Sequence, residues 1–213
     1  KYVNKSATVS FEVSKISDFD LDASVSDFII LGNDVIIDVS SIPSEATGTV
    51  SVKVNGKEYK STLSNGTATI TIPDLDNGVY EVDVVYSGDD KYTNKSTAVS
   101  FEVSNVVTND TFEKFFDENG TLRDEVKCDE LIFDGVISNK SADKINIDRT
   151  ITLLGENATL ENIAIDVSAD DVIIDGFTIN AVDMEYAISV QNASNVKIMN
   201  SNLNVSGKAG ENA

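Results

Sequence analysis

Apolar and polar residues alternate with a period of two along most of residues 18–104. Val50, Val52 and Val54, for example, alternate with polar neighbours. This alternation is typical of strands that bury one face and expose the other. The pattern predicts strands over residues 18–26, 34–40, 47–54, 57–63, 67–72, 79–86 and 95–104. About seven strands in a stretch of this length are expected of an immunoglobulin-like (Ig-like) β-sandwich.

Turn signals separate these strands. Asn55-Gly56 lies between two of them at the spacing of a two-residue hairpin, in which both central residues have positive φ. Gly78 precedes the sixth strand, and Tyr80 follows on its inward side. A tyrosine at this place predicts a tyrosine corner, in which the hydroxyl ties down the preceding connection.

The beginning of the chain is repeated further along. Lys1–Ser14 and Lys91–Ser104 are identical at 11 of 14 positions, at an offset of 90 residues. One β-sandwich module has about this size. We therefore expect residues 1–14 to be the last strand of a preceding Ig-like repeat, cut from a longer protein, and residues 15–104 to be one complete module.

The pattern changes after Ser104. Asp110 has the character of a helix N-cap, Glu113 follows three residues later, and three phenylalanines precede the stop signal Asn119-Gly120. These features predict one short amphipathic helix over residues 111–118. Because so short a helix is unstable alone, its phenylalanines must cover another element.

Short β-rich runs then recur at intervals of 21 and 24 residues. The runs begin at Ile151, Val172 and Val196, end on Gly155, Gly176 and Asn200, and are followed by second runs at 163–165, 177–179 and 203–205. Such a repeat, with Gly or Asn at the corners, is typical of a parallel β-helix. We expect residues 105–213 to be the first coils of a right-handed parallel β-helix, capped by the short helix. A leucine-rich repeat has a similar period, but Ile and Val replace its regular leucines.

Composition excludes several functions. The chain has 16 basic and 36 acidic residues, a net charge of -20, so we expect no binding to nucleic acid and no direct insertion into a membrane. It has no His and a single Cys, Cys128, which removes histidine-based triads, zinc sites and intrachain disulfides. Carboxylate chemistry, hard-cation binding and non-catalytic roles remain.

Carboxylate pairs are the weak candidates for a metal site. Asp89 and Asp90 follow a glycine in one turn, and Asp170 and Asp171 form a second pair in the repeat region. Each pair has the oxygen chemistry that calcium prefers. We expect no cofactor, with Ca²⁺ as the cation to test.

Nine Asn-x-Ser/Thr sequons predict N-glycosylation of an exported protein, although a composition rich in Asn, Ser and Thr explains part of their number. They are at Asn4, Asn65, Asn94, Asn109, Asn119, Asn139, Asn157, Asn192 and Asn204.

A carbohydrate-active enzyme is the alternative function, because some parallel β-helices cleave polysaccharides. A hydrolase needs two neighbouring carboxylates, and Asp171 with Asp175 or Asp148 with Asp170 are the sources in this sequence. A lyase of the pectate type needs an arginine base beside calcium, and the two arginines lie outside the repeated runs. We expect no catalysis.

The chain resembles the adhesin-like cell-surface proteins of methanogenic archaea. In the first half the resemblance rests on Asp74–Tyr80 and on the Tyr-Ser-Gly-Asp-Asp-Lys-Tyr ending of 86–92; in the second half it rests on Ile151–Ala158 and Val172–Asn180. This resemblance implies a non-catalytic, extracellular protein in which an Ig-like spacer presents a β-helix surface to host or microbial polymers. It implies a carbohydrate or cell-surface protein as ligand, and we expect a monomer.

Overall fold

A computed structural model describes residues 2–207, so the predictions for Lys1 and for residues 208–213 lie outside the described residues. The described chain is built almost entirely of strands. In chain order they are β1 (Asp22–Ser24), β2 (Phe28–Ile30), β3 (Val35–Ser40), β4 (Thr49–Val54), β5 (Lys57–Thr62), β6 (Ala68–Ile72), β7 (Gly78–Tyr86), β8 (Lys95–Ser104), β9 (Val106–Val107), then helix α1 (Phe112–Phe115), β10 (Glu130–Ile137), β11 (Lys144–Ile147), β12 (Thr152–Glu161), β13 (Ala164–Val167), β14 (Ile173–Asp175), β15 (Thr178–Val182), β16 (Ile188–Val190), β17 (Lys197–Met199) and β18 (Asn202–Ser206).

Two sheets form the predicted Ig-like sandwich. One has three strands in the order β1-β3-β6, and the other has five in the order β2-β8-β7-β4-β5. Val50 and Val52 on β4 are at most 1% exposed, and Ile37 on β3 is fully buried. Burying an aliphatic side chain of this size contributes roughly 1.5–3 kcal/mol, which is how an alternating sequence stabilises a module without a disulfide.

The predicted strand over residues 18–26 is wrong in its extent. The structure has the shorter β1, which pairs antiparallel with β3, and then a strand that the alternation did not predict, β2, which pairs parallel with β8. The chain changes sheets between these strands. Phe28-Ile29-Ile30 is an unbroken apolar run, and therefore gives no period-two signal.

The chain divides into two compact units. The first contains the described residues up to Ser26 with Ile36–Ile72 and Glu81–Ser100, and the second contains Asp27–Val35, Pro73–Tyr80 and the chain from Phe101 onward. The predicted domain boundaries, at 14/15 and 104/105, remain predictions.

The second half of the chain is a parallel β-helix, as predicted. Its first face is the run of parallel strands β9-β10-β12-β14-β17. Leu153 on β12 lies beside Leu131 on one side and Ile174 on the other, and Ile174 lies beside Ile198. Residues separated by the predicted spacings of 21 and 24 positions thus stack on each other, with one aliphatic side chain on the next.

The other two faces follow in each coil. The end of β12 pairs with β15 and β15 with β18, which gives the second face, whereas β11, β13 and β16 form a separate third sheet. The run at 163–165 was predicted to be equivalent to 177–179 and 203–205. It is not, because β12 continues into the second face and leaves residues 164–167 to the third.

The predicted capping helix is present but short. Phe112, Phe115 and Phe116 are buried in the hydrophobic core of the β-helix, and the Phe116 ring lies 6.1 Å from that of Phe133. The predicted N-cap, Asp110, is wrong: Thr111 is the N-cap, and it makes no side-chain capping bond. Its hydroxyl instead accepts from the Thr108 amide at 2.9 Å and donates to the Val106 carbonyl at 3.0 Å.

The residues predicted at coil corners divide into two kinds. Gly176 and Asn200 have the positive φ of a corner, +82° and +49°. Gly155 instead lies inside the extended strand β12, so its predicted corner role is wrong. A Cβ there would lie 2.9 Å from the Gly176 carbonyl oxygen and from the Phe177 ring, so a close approach requires this glycine.

Candidate functional site

The third face of the β-helix carries a row of polar side chains. Asp166 on β13 lies beside Asn146 on β11 and Ser189 on β16, in register across the three parallel strands. On β11 and β13, the residues on either side of Asn146 and Asp166 point inward, and Ile145, for example, is fully buried. Because neighbouring strands lie about 4.8 Å apart, the three polar side chains form a closely spaced line.

The side chains of Lys144 and Tyr186 lie beside this row. The Lys144 ammonium donates to the Asp166 carboxylate, with Nζ and Oδ2 2.9 Å apart. The hydrogen bond to Asp166, together with the attraction of the carboxylate, raises the pKa of Lys144. Hydrogen bonding to the Asp166 carboxylate also raises the pKa of the half-buried Tyr186, and burial adds to the effect.

Asp166 retains an unused acceptor. Its Oδ1 is buried and accepts no hydrogen bond within residues 2–207. A buried oxygen without a donor costs free energy, and because this oxygen is closed to solvent, the groove presents the other polar atoms of the row to a ligand.

The row is the floor of a groove. Lys144 and Tyr186 divide it into a cavity of about 300 Å³ and one of about 410 Å³. The smaller is lined by Lys144, Asn146, Asp166, Val167, Ser168, Tyr186, Ser189 and Gln191. The larger continues past Asp143 and Glu185. Both donors and acceptors line this third-face groove, and an aromatic ring stands at its centre, so it suits a polar ligand with a flat face.

The predicted metal candidates in the β-helix are used by the scaffold. Asp170 Oδ1 accepts from the Ser194 amide at 2.6 Å and hydroxyl at 2.7 Å, and these bonds lower the pKa of Asp170. Asp171 Oδ1 accepts from the Asn195 side chain at 2.5 Å. Both carboxylates therefore join one coil to the next.

The other candidate pair lies in the turn before β8. Asp89 Oδ1 accepts from the Lys91 and Tyr92 amides at 2.8 and 2.7 Å, and its Oδ2 accepts from the Thr47 amide at 2.7 Å. The Thr47 bond is the largest of the effects that hold the pKa of Asp89 well below its usual range. Asp90 is exposed. Within residues 2–207, no three His, Cys, Asp or Glu side chains form a group suited to a metal ion.

Three of the four carboxylates named for hydrolysis are likewise hydrogen-bonded, whereas Asp148 is exposed. Asp175 Oδ1 accepts from Asn200 at 2.8 Å, and Asp171 and Asp170 have the partners given above. A general acid needs a raised carboxyl pKa. In the described chain, every carboxyl pKa that is clearly displaced, at Glu45, Asp89, Glu113 and Asp170, is lowered.

The two arginines bind backbone. Arg123 Nε donates to the Glu113 and Phe116 carbonyls at 3.0 and 3.2 Å, and Arg149 donates to the Arg123 carbonyl at 2.5 Å. These bonds hold the segment after α1 in place.

All nine sequon asparagines are exposed. Asn65, Asn139 and Asn192 also have positive φ and lie outside the strands, whereas Asn157 has positive φ inside β12. In two of the nine, Nδ2, the atom that a glycan would modify, donates a hydrogen bond: Asn204 to Asn180 at 2.9 Å and Asn139 to Ser138 at 3.4 Å.

The sequence patterns missed the third-face groove. Its strands repeat at offsets of 20 and 23 residues without a shared Gly or Asn, so no corner signal marked them. The available signal was the inward alternation of Lys144–Ile147 and Ala164–Val167.

No helix in the described residues has the length and apolarity to span a membrane.

Comparison with known proteins identifies part of the chain. Residues 23–104 match the family model described as Bacterial Ig-like domain (group 3), so this stretch is an Ig-like domain. No curated protein matches the chain.

Two solved structures show partial similarity. One is an Ig-like domain from the M. primoryensis ice-binding adhesin, with 22% identity, a TM-score of 0.29, and coverage of 43% of this chain and 100% of that one. The other is the CARDB domain of a Pyrococcus furiosus protein in complex with di-metal ions, with 14% identity, a TM-score of 0.28, and coverage of 43% and 97%.

Proposed function

We propose that this chain is a non-catalytic, adhesin-like protein of the cell surface, in which the Ig-like domain is a spacer and the β-helix binds a polymer. The third-face groove carries the proposal. It combines a line of hydrogen-bonding side chains with the Tyr186 ring, on a scaffold in which Asp170, Asp171 and Asp175 already bond to the neighbouring coil.

Carbohydrate is the ligand class that suits this groove best. Sugar hydroxyls both donate and accept, and would meet Lys144, Asn146 and Ser189. The apolar face of a sugar ring would lie on Tyr186. A cell-surface protein with an exposed polar loop is the second ligand that the groove accommodates.

Two features support an extracellular location. The net charge of -20 keeps strand-rich modules apart in solution, and the exposed sequon asparagines are accessible to glycosylation. On the resemblance to adhesin-like proteins of methanogenic archaea, the proposal includes a methanogenic archaeon as the source of the chain.

Binding of immobilised polysaccharides tests the ligand. We expect retention of the unaltered chain on at least one polysaccharide, and a loss of at least tenfold in affinity for Tyr186→Ala and for Asp166→Ala. Tyr59→Ala, in the Ig-like domain, is the matched control and should bind normally. Equal retention of all four proteins would exclude the groove as the binding site.

A turnover assay separates adhesion from the alternative, hydrolysis or lysis of a polysaccharide. We expect no release of reducing ends and no unsaturated product from the bound polymer. Product formation that Asp171→Asn abolishes would show an enzyme and remove the adhesin proposal.

A further inference from the structure

Four Asn-Gly pairs occur in this chain, and the fold places them in different surroundings. They are Asn55-Gly56, Asn65-Gly66, Asn77-Gly78 and Asn119-Gly120. An asparagine followed by glycine can lose ammonia spontaneously, because glycine has no Cβ to shield its amide from the preceding side chain. The sequence alone makes the four pairs equivalent. Any difference in their reactivity therefore comes from the fold.

The reaction needs only water. Hydroxide removes the proton of the glycine amide, and the amide nitrogen attacks Cγ of the asparagine. A bond forms between these two atoms, the bond from Cγ to Nδ2 breaks, and Nδ2 takes a proton from water and leaves as ammonia. Water then opens the resulting succinimide ring at either of its carbonyl groups, which leaves aspartate or isoaspartate in the chain.

Ring closure requires movement of the backbone. The peptide group between the two residues must rotate until the glycine nitrogen reaches Cγ, so the glycine itself changes position. A glycine that is packed against other atoms cannot make this rotation. An asparagine side chain that is held by a hydrogen bond cannot present Cγ without breaking that bond. A mobile glycine and a free asparagine side chain are thus the two structural requirements.

Two of the four glycines, Gly66 and Gly120, are buried. A Cβ on Gly66 would overlap the Ile42 carbonyl group, and a Cβ on Gly120 would overlap the Lys144 carbonyl group. The Gly120 amide also donates to the Asp117 carbonyl at 3.0 Å, so the nitrogen that would attack is already bonded. Both pairs are therefore protected by the packing of their glycine.

A third pair is protected through its asparagine. The Asn77 side chain donates to Oδ1 of Asn105 at 2.7 Å, and Asn105 is 3% exposed. Gly78 is half-buried at the start of β7. Rotation of the Asn77 side chain towards the Gly78 nitrogen would leave a buried acceptor without its donor, which is costly.

Asn55-Gly56 has neither protection. Both residues are exposed at the turn between β4 and β5, with the positive φ of a two-residue hairpin, +50° and +81°. Apart from its chain neighbours, no atom of the described chain lies within 4 Å of the position of a Cβ on Gly56. The Asn55 side chain makes no hydrogen bond to the residues that the structure describes. Since β5 is an edge strand, the turn can move without meeting another strand.

We propose that Asn55 is a site of spontaneous deamidation, at which the folded chain forms aspartate and isoaspartate while the other three Asn-Gly pairs persist. The reacting atoms are Cγ of Asn55 and the nitrogen of Gly56, and the co-reactant is water. The product adds a negative charge to the hairpin, and isoaspartate also lengthens the backbone of the turn by one carbon atom. This site is separate from the third-face groove and does not depend on the proposed function.

Peptide mapping by mass spectrometry tests the assignment on the whole, unaltered chain. The chain should be made without glycosylation, because Asn65 and Asn119 are also sequons and a glycan on Nδ2 would block their reaction. During incubation at mildly alkaline pH, we expect Asn55 to be converted at least tenfold faster than Asn65, Asn77 or Asn119. An equal or faster rate at any of these three would overturn the proposal.

The same chain unfolded in urea is the control. Unfolding removes the packing of Gly66 and Gly120 and the hydrogen bond of Asn77, so all four pairs should then react at similar rates. A tenfold preference for Asn55 that persists in urea would show that local sequence selects the site, and would contradict the role of the fold.

A variant separates the charge of the product from its backbone. Asn55→Asp, measured without incubation, carries the new charge on a normal backbone. We expect the Tm of the unaltered chain after incubation to fall below that of Asn55→Asp, because an extra backbone atom disturbs a two-residue turn that sets the register of β4 and β5. Equal Tm values would contradict the formation of isoaspartate at this turn.

Discussion

Asn77 donates through Nδ2 to Oδ1 of Asn105, at 2.7 Å, within the second compact unit. Asn105 is 3% exposed, and its own Nδ2 donates to the Glu130 carbonyl at 3.0 Å. Its backbone carbonyl accepts from the Ile132 amide at 3.1 Å. One buried amide thus links the loop before β7 to the start of β10.

Replacing this amide should destabilise the second unit. Asn105→Ala removes both side-chain bonds, one to the exposed Asn77 and one to the half-buried Glu130, at a cost of about 1–3 kcal/mol in the free energy of unfolding. Urea denaturation followed by circular dichroism measures it. Asn4→Ala, at an exposed asparagine, is the control and should change little. An unchanged midpoint for Asn105→Ala would show that water replaces both bonds.

Gly155→Ala should also destabilise the β-helix. The added Cβ would lie 2.9 Å from the Gly176 carbonyl oxygen and the Phe177 ring, so backbone and core must shift, at a cost of about 1–3 kcal/mol. Thermal denaturation should show a lower Tm. Gly207→Ala is the control, since a Cβ there meets no atom within 4 Å. Equal Tm values for both variants would contradict the close packing of these coils.

Tyr80→Phe tests the tyrosine corner. The Tyr80 hydroxyl donates to the Asp76 carbonyl at 2.8 Å, and its ring stacks on Phe101 with centroids 5.3 Å apart. The substitution keeps the ring and removes the bond, so we expect a loss of about 1 kcal/mol. Tyr59→Phe, at a half-buried tyrosine whose ring contacts Lys57, should be close to neutral. Chemical denaturation of both variants makes the comparison.

The stability of the first unit should fall in acid. The hydrogen bond from the Tyr92 hydroxyl to Glu45, at 2.7 Å, is the main cause that lowers the pKa of Glu45 from 4.5 to about 2. A lowered folded-state pKa stabilises the fold above the unfolded value, and this contribution is lost as the pH falls from 4.5 towards 2.

Tyr92→Phe should weaken that dependence. The ring stays buried, but the pKa of Glu45 returns towards 4.5, so the unfolding midpoint should change less over this pH range. Denaturation at several acidic pH values measures the slope, and carbon-13 NMR titration of Glu45 measures the pKa directly. An unchanged Glu45 pKa in the variant would show that Lys91 and the backbone hold the carboxylate without the tyrosine.

The alternation of apolar and polar residues predicted most of the fold, because buried and exposed positions alternate along a strand with the same period. The buried face of β4 and the stacked rows of the first β-helix face could both be located in this way. β2 could not, since three consecutive apolar residues have no period. The helix start at Thr111 depended on a hydroxyl bond to the Val106 carbonyl, a contact that no local pattern records.

The candidate site was harder to predict from the sequence than the fold was. Lys144, Asp166 and Tyr186 meet only because three coils stack; the first two lie on strands without corner signals, and Tyr186 lies just before β16. Three of the carboxylates that the sequence did single out, Asp170, Asp171 and Asp175, bond to the following coil. Residue type identified them as candidates, but register determined their partners.

The parallel pairing of β2 with β8 has a consequence for tension along the chain. Ile16 lies parallel to Tyr92, and residues 28–30 lie parallel to 102–104. A force that pulls Ile16 away from the end of β8 slides the paired segments past each other in opposite directions. The bonds across each pair are then loaded in shear and must break together, not one after another. The parallel pairing of the first and last strands of this module therefore favours resistance to unfolding by a pulling force.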